Sequence, residues 1–492
     1  MSNLKKGVFG SILLVFDSFV NKAIGLVSTL ILARVLIPED FGIVAIAVLT
    51  MGFFEIIGNT GSVQYLLRAE KINDEDVNTS FTINIIIRFV LAFAIYLASF
   101  YVADFYQDIR LKGLLLALSF MFFIQAWQNP SIIYLKREQK FASIVKVNIV
   151  GKLVAVIAAV FVAVYFKSYW ALVVGQATGV VANLFGYYLI QPYIPKFELG
   201  NAKKQWAFSG WMIPQSILGF FRTQLDTLIV SSIFGKSELG SYHTMKYIGF
   251  IPTSHFIIPM TETFLVEMRK AAGEVNKFSK VASASLLLTL LIAMPISAFL
   301  ISFHENITNL LLGANWVKYS ELLAAFGTLI PASAIHRHCC RVLIIYNKPK
   351  HILFYEIVTF LIIYSVLFII GINDLYFFTY VRVGLEQVLS AFFLVYISCK
   401  YSNIITTGKL FLGIVIILLS CCVAISATQF VPVVSNYELI NLSVFFFCFT
   451  MVFFVCFMLF FFTILQNFSE WNYISSLMNR LLTTFLHWVR DN

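Results

Sequence analysis

A chain of 492 residues in which 60% are hydrophobic and only 12% charged is not a soluble globular domain. Mean hydropathy is positive at +0.86, and apolar runs long enough to cross a bilayer, at least about 18 residues, recur from end to end. The net charge of +10 needs no nucleic-acid partner, because the basic residues gather in loops on one side of the expected spans.

Lys5 and Lys6 precede the first apolar run, which continues past Val27 without a small-residue cleavage site. It reads as an uncleaved first span. About fourteen spans are expected, near 9–36, 41–67, 80–103, 111–134, 144–166, 169–191, 207–234, 239–266, 281–303, 317–345, 352–371, 375–399, 408–430 and 438–466. The connections are too short for a soluble domain. A polar, proline-marked break, "QPYIPKFELGNAKKQ" (191–205), follows the sixth span. The expected division is an N-terminal lobe over 1–192, a cytoplasmic linker over 193–205 and a C-terminal lobe over 206–400. Two further spans occupy 401–466, and 467–492 forms a cytoplasmic tail. In that tail Trp471, Ile474, Leu477, Met478, Leu481, Leu482, Phe485 and Val489 share one helical face, as in an amphipathic helix lying on the membrane surface.

With both termini cytoplasmic, that side holds most loop cations, including the "KREQK" run at 136–140, Lys203, Lys204, Arg269, Lys270, Lys277, Lys280, Lys348 and Lys350. The opposite side keeps Arg34, Arg110, Lys112, Lys167, Lys236 and Lys318. This asymmetry supports an even number of spans. Seven cysteines in or beside apolar segments give no disulfide framework.

An internal repeat is visible. "STLILARVLIPEDFGIVAIAV" (28–48) and "DTLIVSSIFGKSELGSYHTMK" (226–246) align without a gap at an offset of 198. Each is an apolar helix end, a polar turn with an acidic residue, then a bulky apolar residue and glycine (Phe41-Gly42, Leu239-Gly240). Six spans separate the copies, so they keep the same orientation, implying two six-helix lobes related by a pseudo-two-fold axis along the membrane normal.

The same residues resemble a known family. "ILARVLIPEDFGIVAIA" is similar to the first-loop signature of bacterial polysaccharide-export flippases, the Wzx type within the MOP (MATE and oligosaccharide flippase) superfamily. "NTGSVQYLLR" (59–68), "SIIYLKREQKFASI" (131–144), "SYWALVVGQ" (168–176) and "QLDTLIVSSIFGKSELGSYH" (224–243) are similar to it too, in its order. The resemblance covers about residues 5–400. It implies an all-α polytopic membrane protein with a MATE-like pair of lobes and two extra C-terminal spans, in the bacterial inner membrane. The implied activity is that of a transporter, not an enzyme: flipping undecaprenyl-diphosphate-linked oligosaccharide from the cytoplasmic to the outer leaflet for O-antigen, capsule or exopolysaccharide synthesis. Polymerase and chain-length machinery would be its partners. A monomer is expected, with no cofactor and no metal.

Charges within the spans are the candidate site. Lys22, Arg88, Arg222, Lys246, Arg337 and Arg341 are the expected cavity cations, and Asp17 and Asp226 the ion-coupling carboxylates. Each charge at a helix centre costs roughly 3 kcal/mol to insert, so the four on spans one and seven must face the interior. Lys22 and Arg222 differ by nearly the repeat offset, which places both at similar depth, suited to a diphosphate. Alternatively, Arg222 pairs locally with Asp226 at i, i+4, although cation-before-anion is the weaker order; Asp17 is another partner. Arg337 and Arg341 either meet the diphosphate or snorkel to the interface, as Lys152 does. Arg382 and Glu386 read as a local pair. Prolines 214, 252, 259, 295 and 331 kink the second lobe.

"GKS" at 235–237 lacks the earlier glycine of a phosphate-binding loop. His336 and His338 at i, i+2 face apart on a helix, which disfavours a metal site. The rival readings are a MATE-type multidrug or cation antiporter and an integral-membrane enzyme of envelope polysaccharide synthesis.

Overall fold

Long apolar runs leave the backbone no water to bond with, so they must satisfy their N–H and C=O groups internally. In the computed structural model every described regular element is accordingly a helix. The structure describes residues 3–460 apart from 59–60, 70, 372–373, 403 and 436. The amphipathic tail expected at 468–490, and the side chains of Lys5 and Lys6, lie outside the described residues.

The chain packs as two compact units, Met1–His243 and Thr244–Asn492. The first contains α1 (Asn3–Val35), α2 (Pro38–Gly58), α3 (Ser62–Arg68), α4 (Asp74–Phe105), α5 (Ile109–Ala126), α6 (Ile132–Arg137), α7 (Phe141–Phe166), α8 (Trp170–Ile190), α9 (Ala202–Ile233) and the start of α10 (Lys236–Pro252). The second contains α11 (Ile258–Ala271), α12 (Val275–Ser302), α13 (His304–Leu312), α14 (Ser320–Gly327), α15 (Leu329–Ile345), α16 (Pro349–Ile370), α17 (Leu375–Tyr401), α18 (Ile404–Thr428) and α19 (Glu438–Phe460).

Eleven helices among the described residues are long and apolar enough to cross a membrane. Three further expected spans fall on α9, on α10 with α11, and on α14 with α15, which do not meet that criterion. The sequence explains why for α9, where Arg222 and Asp226 lower the hydropathy, while α15, broken from α14 at Thr328, is only 17 residues long. Pro252 closes α10, and a π-helical turn over Thr253–Ile257 carries the chain into α11, where Pro259 sits in the first turn. A proline that cannot donate its ladder bond is commonly absorbed by such a widened turn.

In the first unit α5 is central. Leu111, Leu114, Leu115, Leu118 and Phe122 are fully buried on one face, the i, i+3, i+4, i+7 spacing of a single helical stripe. Lipid is as apolar as leucine, so close backbone approach has to replace hydrophobic driving force between helices. The α7–α8 pair does this with small residues. Gly175 abuts Ala159, and Gly179 abuts Ala155, two interlocking small-x-x-x-small steps. The polar stretch before α9 is fastened to α4. Asn78 Oδ1 accepts from the Tyr193 hydroxyl at 2.8 Å and from the Lys196 N–H at 3.1 Å. The Glu198 N–H donates to Thr82 Oγ1 at 3.0 Å. α4 itself begins with a capping box, Asn73 and Asp76 each accepting from the other's N–H. In the second unit α12 is the buried core helix, packed by α15, α18 and α11.

The two repeat copies meet at the start of α2 and α10. A Cβ at Gly42 would overlap the carbonyl oxygen of Lys236, and a Cβ at Gly240 would overlap that of Pro38. Positions 38 and 236 differ by the same 198 as the two glycines, so the crossing is reciprocal. Gly42→Ala or Gly240→Ala should therefore cost about 1–3 kcal/mol by overpacking, read as a lowered Tm of the purified protein. Gly384→Ala, with nothing within 4 Å of its Cβ, should leave Tm unchanged or raised.

Candidate functional site

A cavity of about 840 Å³ opens within the first unit, inside the range of ligand sites. α2 supplies Glu55, α4 supplies Asn84 and Arg88, α6 supplies Lys136, α8 supplies Tyr187 and α9 supplies Thr223 and Gln224. Apolar helices that devote facing side chains to amides, hydroxyls and charges enclose a wet space rather than a packed core.

Arg88 is the most constrained cation there. Its Nε donates to Asn84 Oδ1 at 3.0 Å, one turn earlier on α4, and Nη1 donates to Gln125 Oε1 on α5. The guanidinium carbon lies 5.5 Å above the Phe122 ring, close enough for cation–π attraction. Asn84 is held in turn, its amide donating to the Ala126 carbonyl at 3.1 Å. Lys136 sits in the connection between α5 and α7, outside the apolar spans. Burial lowers the pKa of its ammonium, because desolvation disfavours the charged form.

Asp17 reaches the same cavity through a hydrogen-bonded chain. Its Oδ2 accepts from Asn148 Nδ2 at 2.8 Å on α7, and Asn148 Oδ1 accepts from the Tyr187 hydroxyl at 2.6 Å on α8. Asn21 Nδ2 donates to the other oxygen of Asp17 at 2.7 Å. The carboxylate is thus coordinated by neutral donors from two helices, and its neighbour Tyr187 faces the cavity.

The remaining expected residues are distributed as follows. Lys22 on α1 and Arg222 on α9 are exposed, and neither is among the cavity-lining residues, although Thr223 and Gln224 beside Arg222 are. Asp226 is buried, 1% exposed. It accepts from the Tyr242 hydroxyl at 2.8 Å and from the Thr227 N–H at 2.8 Å. Lys246, Arg337 and Arg341 belong to the second unit, with Arg341 buried and the other two half-buried. There Arg382 and Glu386 meet at 3.7 Å, the i, i+4 pair their spacing predicts. His336 stacks on Tyr355 and lies 3.6 Å from Glu356, and no group of three metal-ligating side chains occurs among the described residues. Gln125 and Asn148 could not be singled out from sequence, being neutral residues in apolar runs.

A second polar cluster stands at the α2 and α10 starts, beside the glycine crossing. Asp108, which caps α5, accepts from Lys236 Nζ at 2.6 Å and from Arg110 at 2.9 Å, and Arg110 reaches Glu39 at 2.6 Å. Two acids and two bases from three separate segments thereby neutralise one another.

Residues 31–321 match the family model described as "Polysaccharide biosynthesis protein". The chain belongs to this family. Lipopolysaccharide biosynthesis protein WzxC of Escherichia coli (strain K12) is 22% identical over 317 residues, 62% of this chain and 64% of that protein. Succinoglycan biosynthesis transport protein ExoT of Rhizobium meliloti (strain 1021) is 23% identical over 309 residues, 62% and 63% respectively. The chain therefore spans just under two thirds of the length of these relatives. Among solved structures, lipid II flippase MurJ in an inward closed conformation superposes with a TM-score of 0.73 at 15% identity, covering 92% of this chain and 99% of that one. An inward-facing multidrug MATE transporter of the MOP superfamily gives 0.55 at 13% identity, covering 79% and 95%. These likenesses establish the expected all-α, MATE-like fold, and the family member is a multi-pass membrane protein.

The cluster at Asp108 yields a pH prediction. Burial alone would raise its carboxyl, but hydrogen bonds from Arg110 and Lys236 outweigh that and hold it at about 2, below the ordinary 3.8. A depressed acid stabilises the fold fully above its unfolded pKa and loses that contribution as pH falls through the folded one. Thermal stability should thus decline between about pH 4 and pH 2. Asp108→Asn should lower Tm at pH 7 and flatten that decline, as measured by melting in detergent.

Proposed function

We propose that this protein is a lipid-linked oligosaccharide flippase of the bacterial inner membrane, with both termini cytoplasmic. It moves undecaprenyl-diphosphate-linked repeat units from the cytoplasmic to the outer leaflet by alternating access. The product feeds O-antigen, capsule or exopolysaccharide synthesis. The observation that carries this reading is the polar cavity with Arg88 fixed in its wall. A sugar chain needs amide and hydroxyl partners in a hydrated space, and a diphosphate needs cations. Arg88 offers a planar fork of donors whose orientation Asn84, Gln125 and Phe122 already fix, so little ordering entropy is spent on binding. Lys136 adds a desolvated ammonium on the expected cytoplasmic side. Lys22, Arg222, Lys246, Arg337 and Arg341 complete the cationic path in this proposal, the protein acts as a monomer, and polymerase and chain-length machinery receive its product.

Asp17 is proposed as the coupling carboxylate. Asn21 and Asn148 hold its two oxygens, and Asn148 passes the connection on to Tyr187 at the cavity. The same network supports the second reading, a MATE-type antiporter, since any ion-driven member of the fold needs such a group.

In a flippase-null strain, Arg88→Ala should cut surface polysaccharide at least tenfold at equal protein level, with lipid-linked intermediate accumulating inside, and Arg88→Lys should recover part. Charge reversal at both Lys22 and Arg222 should also abolish export; wild-type export from that variant would remove those two residues from the substrate path. Asp17→Asn should abolish ion-dependent export while leaving protein level intact. Drug efflux without complementation would favour the antiporter instead.

A further inference from the structure

The transport reading leaves unused an apolar groove of about 680 Å³ in the second unit, between α16 and α17. Phe354, Val358, Leu389, Phe392 and Phe393 line it. The Phe393 ring stacks nearly parallel on Tyr355 at 3.8 Å, giving a flat aromatic wall. Lys350 and His351, in the first turn of α16, line the other end, and the lining includes no Asp or Glu. Lys400 adds a second cation at this level, its Nζ donating to the Tyr396 hydroxyl at 2.9 Å. His351 Nδ1 is buried with no hydrogen-bond partner, so the ring's polar interactions fall to Nε2. The α16 N-terminus has no side-chain cap, leaving its positive dipole end open.

We propose that this groove binds an anionic glycerophospholipid of the cytoplasmic leaflet, with its phosphate at Lys350 and His351 and one acyl chain along the aromatic wall. The dimensions favour this occupant. From Lys350 to Thr359 the groove follows nine residues of helix, about 13 Å, close to the roughly 15 Å half-thickness of a bilayer's hydrocarbon core. A chain that stops at the midplane fits it. A polyprenyl chain of eleven isoprene units is far longer than one leaflet. The placement of charge supports it as well: cations at the surface end, none along the apolar wall, match a lipid with one anionic head and a neutral tail. The inference rests on the membrane orientation proposed above and does not depend on the cargo.

Native mass spectrometry of the full chain in detergent tests it. Phosphatidylglycerol should be retained at least tenfold better than phosphatidylcholine, and the double variant Lys350→Ala with His351→Ala should lose that preference while keeping its lipid-free Tm. A Phe392→Trp variant should show fluorescence quenching by phosphatidylglycerol with brominated acyl chains beyond that of the unsubstituted protein. Equal retention of both lipids, unchanged retention by the double variant, or no added quenching overturns the proposal. So does displacement of phosphatidylglycerol by undecaprenyl diphosphate at lower concentration than phosphatidylglycerol itself, which would assign the groove to the cargo. Each readout is binding, so a failure here leaves the flippase reading to its own complementation test.

Discussion

Inside a bilayer no water compensates a polar group, and that scarcity governs this molecule at each level. Backbone groups are satisfied within helices, so the described regular structure is helical throughout. Helices then associate where their backbones can approach, as at Gly175 and Gly179 against α7 and at Gly42 and Gly240 between the repeat copies. Three charged side chains that break the apolar rule are tied down. Asp17 has two amide donors, Asp226 has a tyrosine hydroxyl and a backbone N–H, and Arg88 has two side-chain acceptors and an aromatic face.

The manner of restraint differs between the two polar regions of the first unit. In the cavity the charged groups are bonded mainly to neutral amides, which fix orientation without cancelling charge. Arg88 is oriented by Asn84 and Gln125, and Glu55, which lines the same space, is the carboxylate that acts on it electrostatically. At the α2 and α10 starts the charges are instead matched one to one, acid on base, with Asp108 held by two cations. The first arrangement suits a binding surface; the second suits a fastener.

Much of this was legible in the sequence. The apolar runs gave the helical membrane class, and the residues around Phe41-Gly42 and Leu239-Gly240 carried a family resemblance that the family match bears out. Of the expected cavity cations, Arg88 lines the cavity of the first unit and Lys22 and Arg222 are not among its lining residues. What periodicity could not reveal were the partnerships between distant helices. Asn148 lies 131 residues from Asp17, Lys236 lies 128 from Asp108, and Gln125 lies 37 from Arg88. Such pairs depend on how helices are rotated and crossed, which packing sets after the spans exist. In sequence Lys136 is one cation of a basic loop run; its partial burial comes with α6, whose Ile132, Ile133 and Lys136 line the cavity.

The crossing of Gly42 and Gly240 has a genetic corollary. Every amino-acid-changing single-base substitution in a glycine codon adds side-chain atoms, and here those atoms would land on the opposing strand of backbone. At these two codons drift has no small step to take. Each copy of the repeat thus holds the other to glycine at the point of contact, which makes that pair the natural marker for aligning the two halves.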